Sequence, residues 1–249
     1  VGEVSLARVD DLARHAILDQ GHNREGDPMG STINLKASDG FTLSAYTVGP
    51  TGGTKGLVVI QEIFGVNHHM RDMCDRFAAQ GYAVCAPALF DRAERGVELG
   101  YAQADIDKGR AYRMKLNDAQ VMLDVEAAAA QLAGKKLGIV GYCFGGTVAW
   151  WGATRTNKFA ASSCWYGGGI AGTKDERPHC PVQMHFGEKD ASIPMTDVEA
   201  IRAAQPKAES YVYAGAQHGF GCDERSSFSK PDYELAQKRT LEFFAKLLG

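Results

Sequence analysis

Apolar and polar positions change period several times along this chain, and the changes mark out its elements. Ile33, Leu35 and Ala37 alternate with polar neighbours, Ser38-Asp39-Gly40 reads as a turn, and alternation resumes over residues 41–48. That two-residue period on both sides of a turn predicts a hairpin. Residues 57–60 are continuously apolar, as a strand covered on both faces requires. Met70, Met73, Phe77 and Ala78 share one helical face, and Gly81 ends it. Residues 82–86 predict the next strand, which Pro87 stops.

The rhythm continues downstream. One long helix is predicted from about 105 to 132, with Val121, Val125, Ala128 and Leu132 as its apolar stripe. Strands are predicted over 137–140, 160–166, 182–186 and 211–213, and a helix over 147–153. A closing helix over 232–248 puts Tyr233, Ala236, Thr240, Phe243 and Leu247 on one face. Strands alternating with helices predict an α/β fold, a mainly parallel sheet flanked by helices on both faces and joined by right-handed crossovers. Residues 31–249 carry no repeat or linker and read as one domain. Residues 1–30 read as an N-terminal arm or as a remnant foreign to the domain. Leu6, Val9, Leu12, Ala13 and Ala16 at helical spacing favour an arm packed on it.

Composition narrows the function classes. The 249 residues carry 27 basic and 30 acidic side chains, a net charge of −3 with no basic block, which argues against nucleic acid as a partner. No apolar run reaches the roughly 18 residues that span a bilayer, so no membrane partner is expected. The opening residues lack a secretory core. The six cysteines contain no C-x-x-C pair, and Cys74, Cys85 and Cys164 sit in apolar stretches. They read as reduced core residues of a cytoplasmic protein. No His, Cys or carboxylate spacing resembles a zinc site, and no dinucleotide or P-loop signature appears. Neither metal nor cofactor is expected.

The candidate chemistry lies in Gly141-Tyr142-Cys143-Phe144-Gly145-Gly146, between a predicted strand and a predicted helix. G-x-S-x-G at such a turn is the nucleophile elbow of α/β-hydrolases, here with cysteine in place of serine. A helix N-terminus behind the nucleophile supplies free N–H groups and a potential that favours a thiolate. Nucleophile, acid and histidine follow one another in such enzymes, each on a loop after a strand. Asp190 follows strand 182–186, and His218 follows strand 211–213. Both fall where open α/β sheets build their sites. His185 lies inside a strand and reads as a core residue, while His68-His69 read as capping or surface residues near a pocket.

Four segments together are more specific. Gln61-Glu62-Ile63-Phe64-Gly65-Val66-Asn67, Gly141-Tyr142-Cys143-Phe144-Gly145-Gly146, Gly187-Glu188-Lys189-Asp190 and Gly215-Ala216-Gln217-His218-Gly219-Phe220 resemble the dienelactone hydrolase (carboxymethylenebutenolidase) family from about residue 31 onward. The resemblance implies an α/β-hydrolase fold and a Cys143–His218–Asp190 triad, without metal or cofactor. The implied enzyme is a monomer, with a dimer as the alternative. It opens an enol-lactone, dienelactone to maleylacetate, during breakdown of aromatic compounds. It implies further that Glu62 holds the resting thiol, that the N–H groups of Ile63 and Phe144 form the oxyanion hole, and that Arg92 grips a substrate carboxylate. Trp165 and Tyr166 follow a family aromatic pair and are candidate pocket residues. The chain departs from the family at Cys222, where a second arginine is expected; Arg225 stands close by to compensate. Two rival readings remain at this level: a broader thiol carboxylesterase acting on uncharged esters, and a non-catalytic thiol-redox or binding protein.

Overall fold

The computed structural model describes residues 30–249, so the expected N-terminal helix and arm lie outside the described residues. Eight strands make one mixed sheet in the order β1-β2-β4-β3-β5-β6-β7-β8. The hairpin forms as its alternation predicts: β1 (Ser31–Lys36) pairs antiparallel with β2 (Thr42–Val48), Leu35 opposite Leu43. Strand β2 joins β4 (Ala83–Pro87), again antiparallel. From there β3 (Lys55–Ile60), β5 (Lys136–Tyr142), β6 (Ala161–Trp165), β7 (Val182–Gly187) and β8 (Glu209–Tyr213) all run parallel. Every residue of β6 and β7 is buried. Alternate side chains of a strand point to opposite faces, so both faces of the sheet are covered there.

Helix α1 (His68–Ala79) starts at Asn67, whose Oδ1 accepts the Met70 N–H at 3.2 Å. The single helix expected over 105–132 is two: α2 (Gln103–Lys115) and α3 (Asp118–Gln131). The break has a local cause. Leu116 turns to an extended backbone and is buried, and Asn117 Oδ1 caps α3 by accepting from the N–H groups of Ala119 and Gln120. Asparagine offers the backbone this alternative bond, which a stripe of apolar residues does not register.

Helix α4 (Phe144–Arg155) packs on β5 and β6. Helix α5 (Met195–Ala204) falls where the hydrophobic pattern predicts no element; only Val198 and Ile201 of it are buried, too few for a visible stripe. Helix α6 (Lys230–Leu248) closes the fold, burying Ala236, Thr240, Phe243, Phe244 and Leu248 against β5, β6 and β7. His185 is a core residue as expected: its ring bonds Tyr213 Oη at 2.8 Å and Gln183 Oε1 at 2.9 Å. Burial, with Arg239 nearby, pulls its pKa down to about 3. Among the described residues no helix is long and apolar enough to cross a membrane.

Candidate active site

Cys143 directly follows β5 and opens α4 at φ 56°, ψ −116°. Holding a non-glycine residue in that region costs on the order of 1–3 kcal/mol, so its surroundings must enforce it. The Cys143 N–H donates to the Trp165 carbonyl of β6 at 3.0 Å, and the Cys143 carbonyl accepts from Gly146 at 3.0 Å. Glycine is needed beside it. A Cβ at Gly145 would strike the carbonyls of Ile60 and Gln61, and one at Gly146 the carbonyl of Trp165. The Phe144 N–H is the first of α4 and has no carbonyl one turn back to bond. The Ile63 N–H, on the loop after β3, donates to no carbonyl among the described residues.

His218 comes from the loop after β8, and Asp190 from the loop after β7. His218 Nε2 lies 3.1 Å from Cys143 Sγ, and its Nδ1 lies 2.7 Å from Asp190 Oδ2. Asp190 is buried, and its Oδ1 accepts the Ser192 N–H at 2.8 Å. The two loops are tied together: Lys189 N–H donates to the Ala216 carbonyl and Glu188 N–H to the Tyr213 carbonyl. Tyr166 meets the His218 ring edge-on at 5.3 Å. Burial disfavours an imidazolium here, but the Cys143 sulfur and the Asp190 carboxylate outweigh it and push the pKa of His218 up to about 10.

Glu62 is buried after β3, but its partner is not the one expected. Its Oε1 accepts from Arg225 Nη1 at 3.3 Å, while its Oε2 is enclosed without a hydrogen-bond partner. The thiol of Cys143 is taken by His218. In this conformation the expected Glu62–thiol hydrogen bond is not made among the described residues, because Arg225 and His218 claim the two groups separately.

The expected substrate contacts are also redistributed. Arg92 is half-buried and spends its guanidinium inside the fold: Nε and Nη2 fork onto Asp124 at 2.7 and 2.8 Å, and Nη1 reaches Asp39 at 2.9 Å. A guanidinium held in such a bidentate pair is not free for a ligand. Trp165 is buried too; its indole N–H donates to Thr240, and its carbonyl holds the Cys143 N–H. Tyr166 is buried and braces His218. A cleft of about 260 Å³ opens over His218, and its lining includes Tyr101, Ile106, Lys189, Gln217 and Arg225. None of Arg92, Trp165 or Tyr166 lines it. Arg225 is thus the guanidinium placed at the cleft. Tyr101 and Ile106 carry no motif, and only the chain's path from β4 to α3 brings them there.

His68 and His69, both expected as capping or surface residues near a pocket, part ways in the fold. His68 is exposed and meets Glu224 at 2.6 Å, but His69 is buried, with Nδ1 3.1 Å from Asp223 Oδ1. The His69 bond, opposed by partial burial and helped by Arg76, holds the Asp223 carboxyl below the usual carboxylate range. Donor atoms of His69, Glu62 and Cys222 all lie within 4.8 Å of one another. Cys222, Asp223 and Arg225 belong to one loop with His218, and the Ser229 N–H closes that loop on the Phe220 carbonyl at 3.0 Å.

A parallel sheet with a strained strand-to-helix turn at the nucleophile position, followed by an acid and a histidine at later strand ends, defines an α/β-hydrolase. Comparison narrows the class: residues 43–248 match the model of the dienelactone hydrolase family, and the chain belongs to that family. A Synechocystis relative, provisionally named a carboxymethylenebutenolidase, is 36% identical over 236 residues, covering 86% of this chain and 96% of its own. An Escherichia coli relative with the same provisional name is 34% identical, covering 85% of each chain. The crystal structure of a Klebsiella pneumoniae protein, provisionally described as a dienelactone hydrolase, superposes with a TM-score of 0.74 at 31% identity. It covers 88% of this chain and 99% of its own. The fold extends to a Pyrococcus furiosus esterase at 16% identity and a TM-score of 0.67. As a family member the chain is a carboxylic ester hydrolase acting on small-molecule esters, and the non-catalytic reading falls.

Proposed function

We propose that the chain hydrolyses enol-lactones of the dienelactone type, or comparably activated esters, through a thioester on Cys143. The observation that carries this reading is the series Cys143 Sγ–His218 Nε2–His218 Nδ1–Asp190 Oδ2, at 3.1 and 2.7 Å, on the strained elbow. His218 Nε2 takes the proton of the Cys143 thiol, the thiolate attacks the carbonyl carbon, and the oxyanion that forms is received by the N–H groups of Phe144 and Ile63. The C–O bond then breaks, and the enolate or alkoxide leaves with the proton that His218 holds. Neutral His218, oriented by Asp190, next takes a proton from water as it attacks the thioester; the acid departs and the thiolate returns. Enols are good leaving groups, which suits a sulfur nucleophile.

Glu62 is assigned a supporting role, as a buried carboxylate that moves between Arg225 and the thiol. Arg225 and Lys189 at the cleft favour a substrate that bears a carboxylate. The internal pairing of Arg92 and the presence of Cys222 at a family arginine position favour the second reading, an uncharged ester. Rates on dienelactone and on neutral aryl esters, with mass spectrometry of trapped acyl-Cys143, test both. An acyl group on Cys143 and faster turnover of the lactone are expected. Hydrolysis that survives Cys143→Ala would sink the assignment.

A further inference from the structure

Spacing along the chain shows no metal pattern, but folding gathers one. Glu62 comes from the loop after β3, His69 from the first turn of α1, and Cys222 from the loop beyond His218. All three are buried, and one donor atom of each lies within 4.8 Å of the others. Two of these side chains have an enclosed polar atom that no oxygen or nitrogen satisfies: Glu62 Oε2, and His69 Nε2, whose neighbour is the Cys222 sulfur. Native interiors seldom leave such atoms unpaired, and each one asks for an explanation.

The outer contacts are those a ligand set needs. Asp223 holds His69 at Nδ1, so that Nε2 faces the cluster, and Arg76 Nη2 fixes Asp223 in turn at 2.7 Å. A carboxylate behind a histidine sets its tautomer and ring orientation in metal sites. Arg225 binds Oε1 of Glu62 and leaves Oε2 free. Tyr101 stands next to the thiol of Cys222 and lines the cleft.

We propose that Glu62, His69 and Cys222 form a binding site for a thiophilic divalent cation of the zinc class. Carboxylate, imidazole and thiolate are the donors such an ion takes. Tetrahedral coordination at the usual bond lengths places them roughly 3.3–3.7 Å apart, so the three need to close by only about 1 Å. The ion replaces protons: the Cys222 S–H loses its proton as the sulfur–metal bond forms, and His69 Nε2 gives up any proton it carries. An ion held there keeps Glu62 away from the Cys143 thiol, so the two roles of Glu62 alternate, and the ion-bound state is the one in which Glu62 does not serve hydrolysis. The fourth position is left for water.

The test uses the purified full chain and the Cys143→Ala variant, which removes the proposed nucleophile and makes the readout independent of hydrolysis. After incubation with Zn²⁺ and dialysis, native mass spectrometry is expected to find one ion per chain in both proteins. Co²⁺ is expected to give a thiolate-to-cobalt charge-transfer band in both. Cys222→Ser should abolish that band and weaken Zn²⁺ binding at least about tenfold, and Glu62→Gln should weaken it by a similar factor. No retained ion, or no cobalt band in the unsubstituted protein, overturns the site. So does binding that Cys222→Ser preserves or that Cys143→Ala removes. Because the unsubstituted protein alone can refute the site, the outcome does not depend on the variants folding.

Discussion

Two groups of cysteine, histidine and aspartate stand in this fold, and they differ in what surrounds the sulfur. In one, His218 joins Cys143 to Asp190, with the carboxylate 2.7 Å from the ring; in the other, His69 lies between Cys222 and Asp223, with the carboxylate at 3.1 Å. Cys143 is partly open at a strained turn, with the first N–H of a helix beside it. Cys222 is wholly buried, with the Glu62 carboxylate for a neighbour. A nucleophile needs space for a carbonyl carbon and donors for the oxyanion; an ion needs several donor atoms gathered around one point. Residue types alone therefore do not assign a task. The space and the charge at the sulfur do.

The sharpest way to break this contrast is at the two sulfurs. Cys143→Ala is expected to slow hydrolysis of an activated aryl ester by about 10³-fold or more, and Cys222→Ala by less than about tenfold. Equal losses in steady-state assays, with circular dichroism confirming both folds, would erase the distinction. The two aspartates come next. Asp190→Asn should lower kcat by about 10²–10⁴-fold, since it releases the tautomer and orientation of His218, whereas Asp223→Asn should cost less than about tenfold. Similar kcat values for the two variants would mean that Asp190 does not orient the base.

A smaller effect separates the cations. Arg225→Gln should raise KM for a carboxylate-bearing ester by about 10–100-fold, the loss of one charge-assisted contact, and change KM for a neutral ester far less. Equal changes on both substrates would remove Arg225 from substrate recognition. The last effect is on stability, not on rate, and uses His185, which has no carboxylate on either ring nitrogen. Its folded pKa, about 3, lies below the ordinary value near 6.5. The unfolded chain therefore binds the extra proton, so this contribution is complete above about pH 6.5 and is lost as pH falls toward 3. The slope is at most about 1.4 kcal/mol per pH unit. Urea unfolding between pH 7 and 4 should show a steeper decline in the parent than in His185→Gln; parallel curves would place the titration elsewhere.

The sequence exposed the elements whose apolar period is strong and the residues that sit in contiguous motifs. The hairpin, the buried parallel strands and the elbow were legible for that reason, as was the order of Cys143, Asp190 and His218. Two features were hidden by weak local signals: the cap at Asn117 that splits one helix into two, and α5, which buries only two apolar residues. The side-chain partners were hidden for another reason. Nothing near Arg92 in sequence announces Asp124, and nothing near Glu62 announces Arg225, His69 or Cys222. Such pairings are made by the fold between distant segments, and motif position alone gave Arg92 and Glu62 partners they do not have here.

The loop that begins at His218 and is closed by Ser229 on Phe220 has a consequence for anyone recombining this enzyme with its relatives. It delivers His218 to one sulfur, Cys222 and Asp223 to the other cluster, and Arg225 to the cleft. A crossover point inside it would inherit one partner set from each parent. A graft that keeps the loop whole, together with the Glu62 and His69 segments it meets, transfers a working unit; a cut between Gly219 and Arg225 transfers fragments of two.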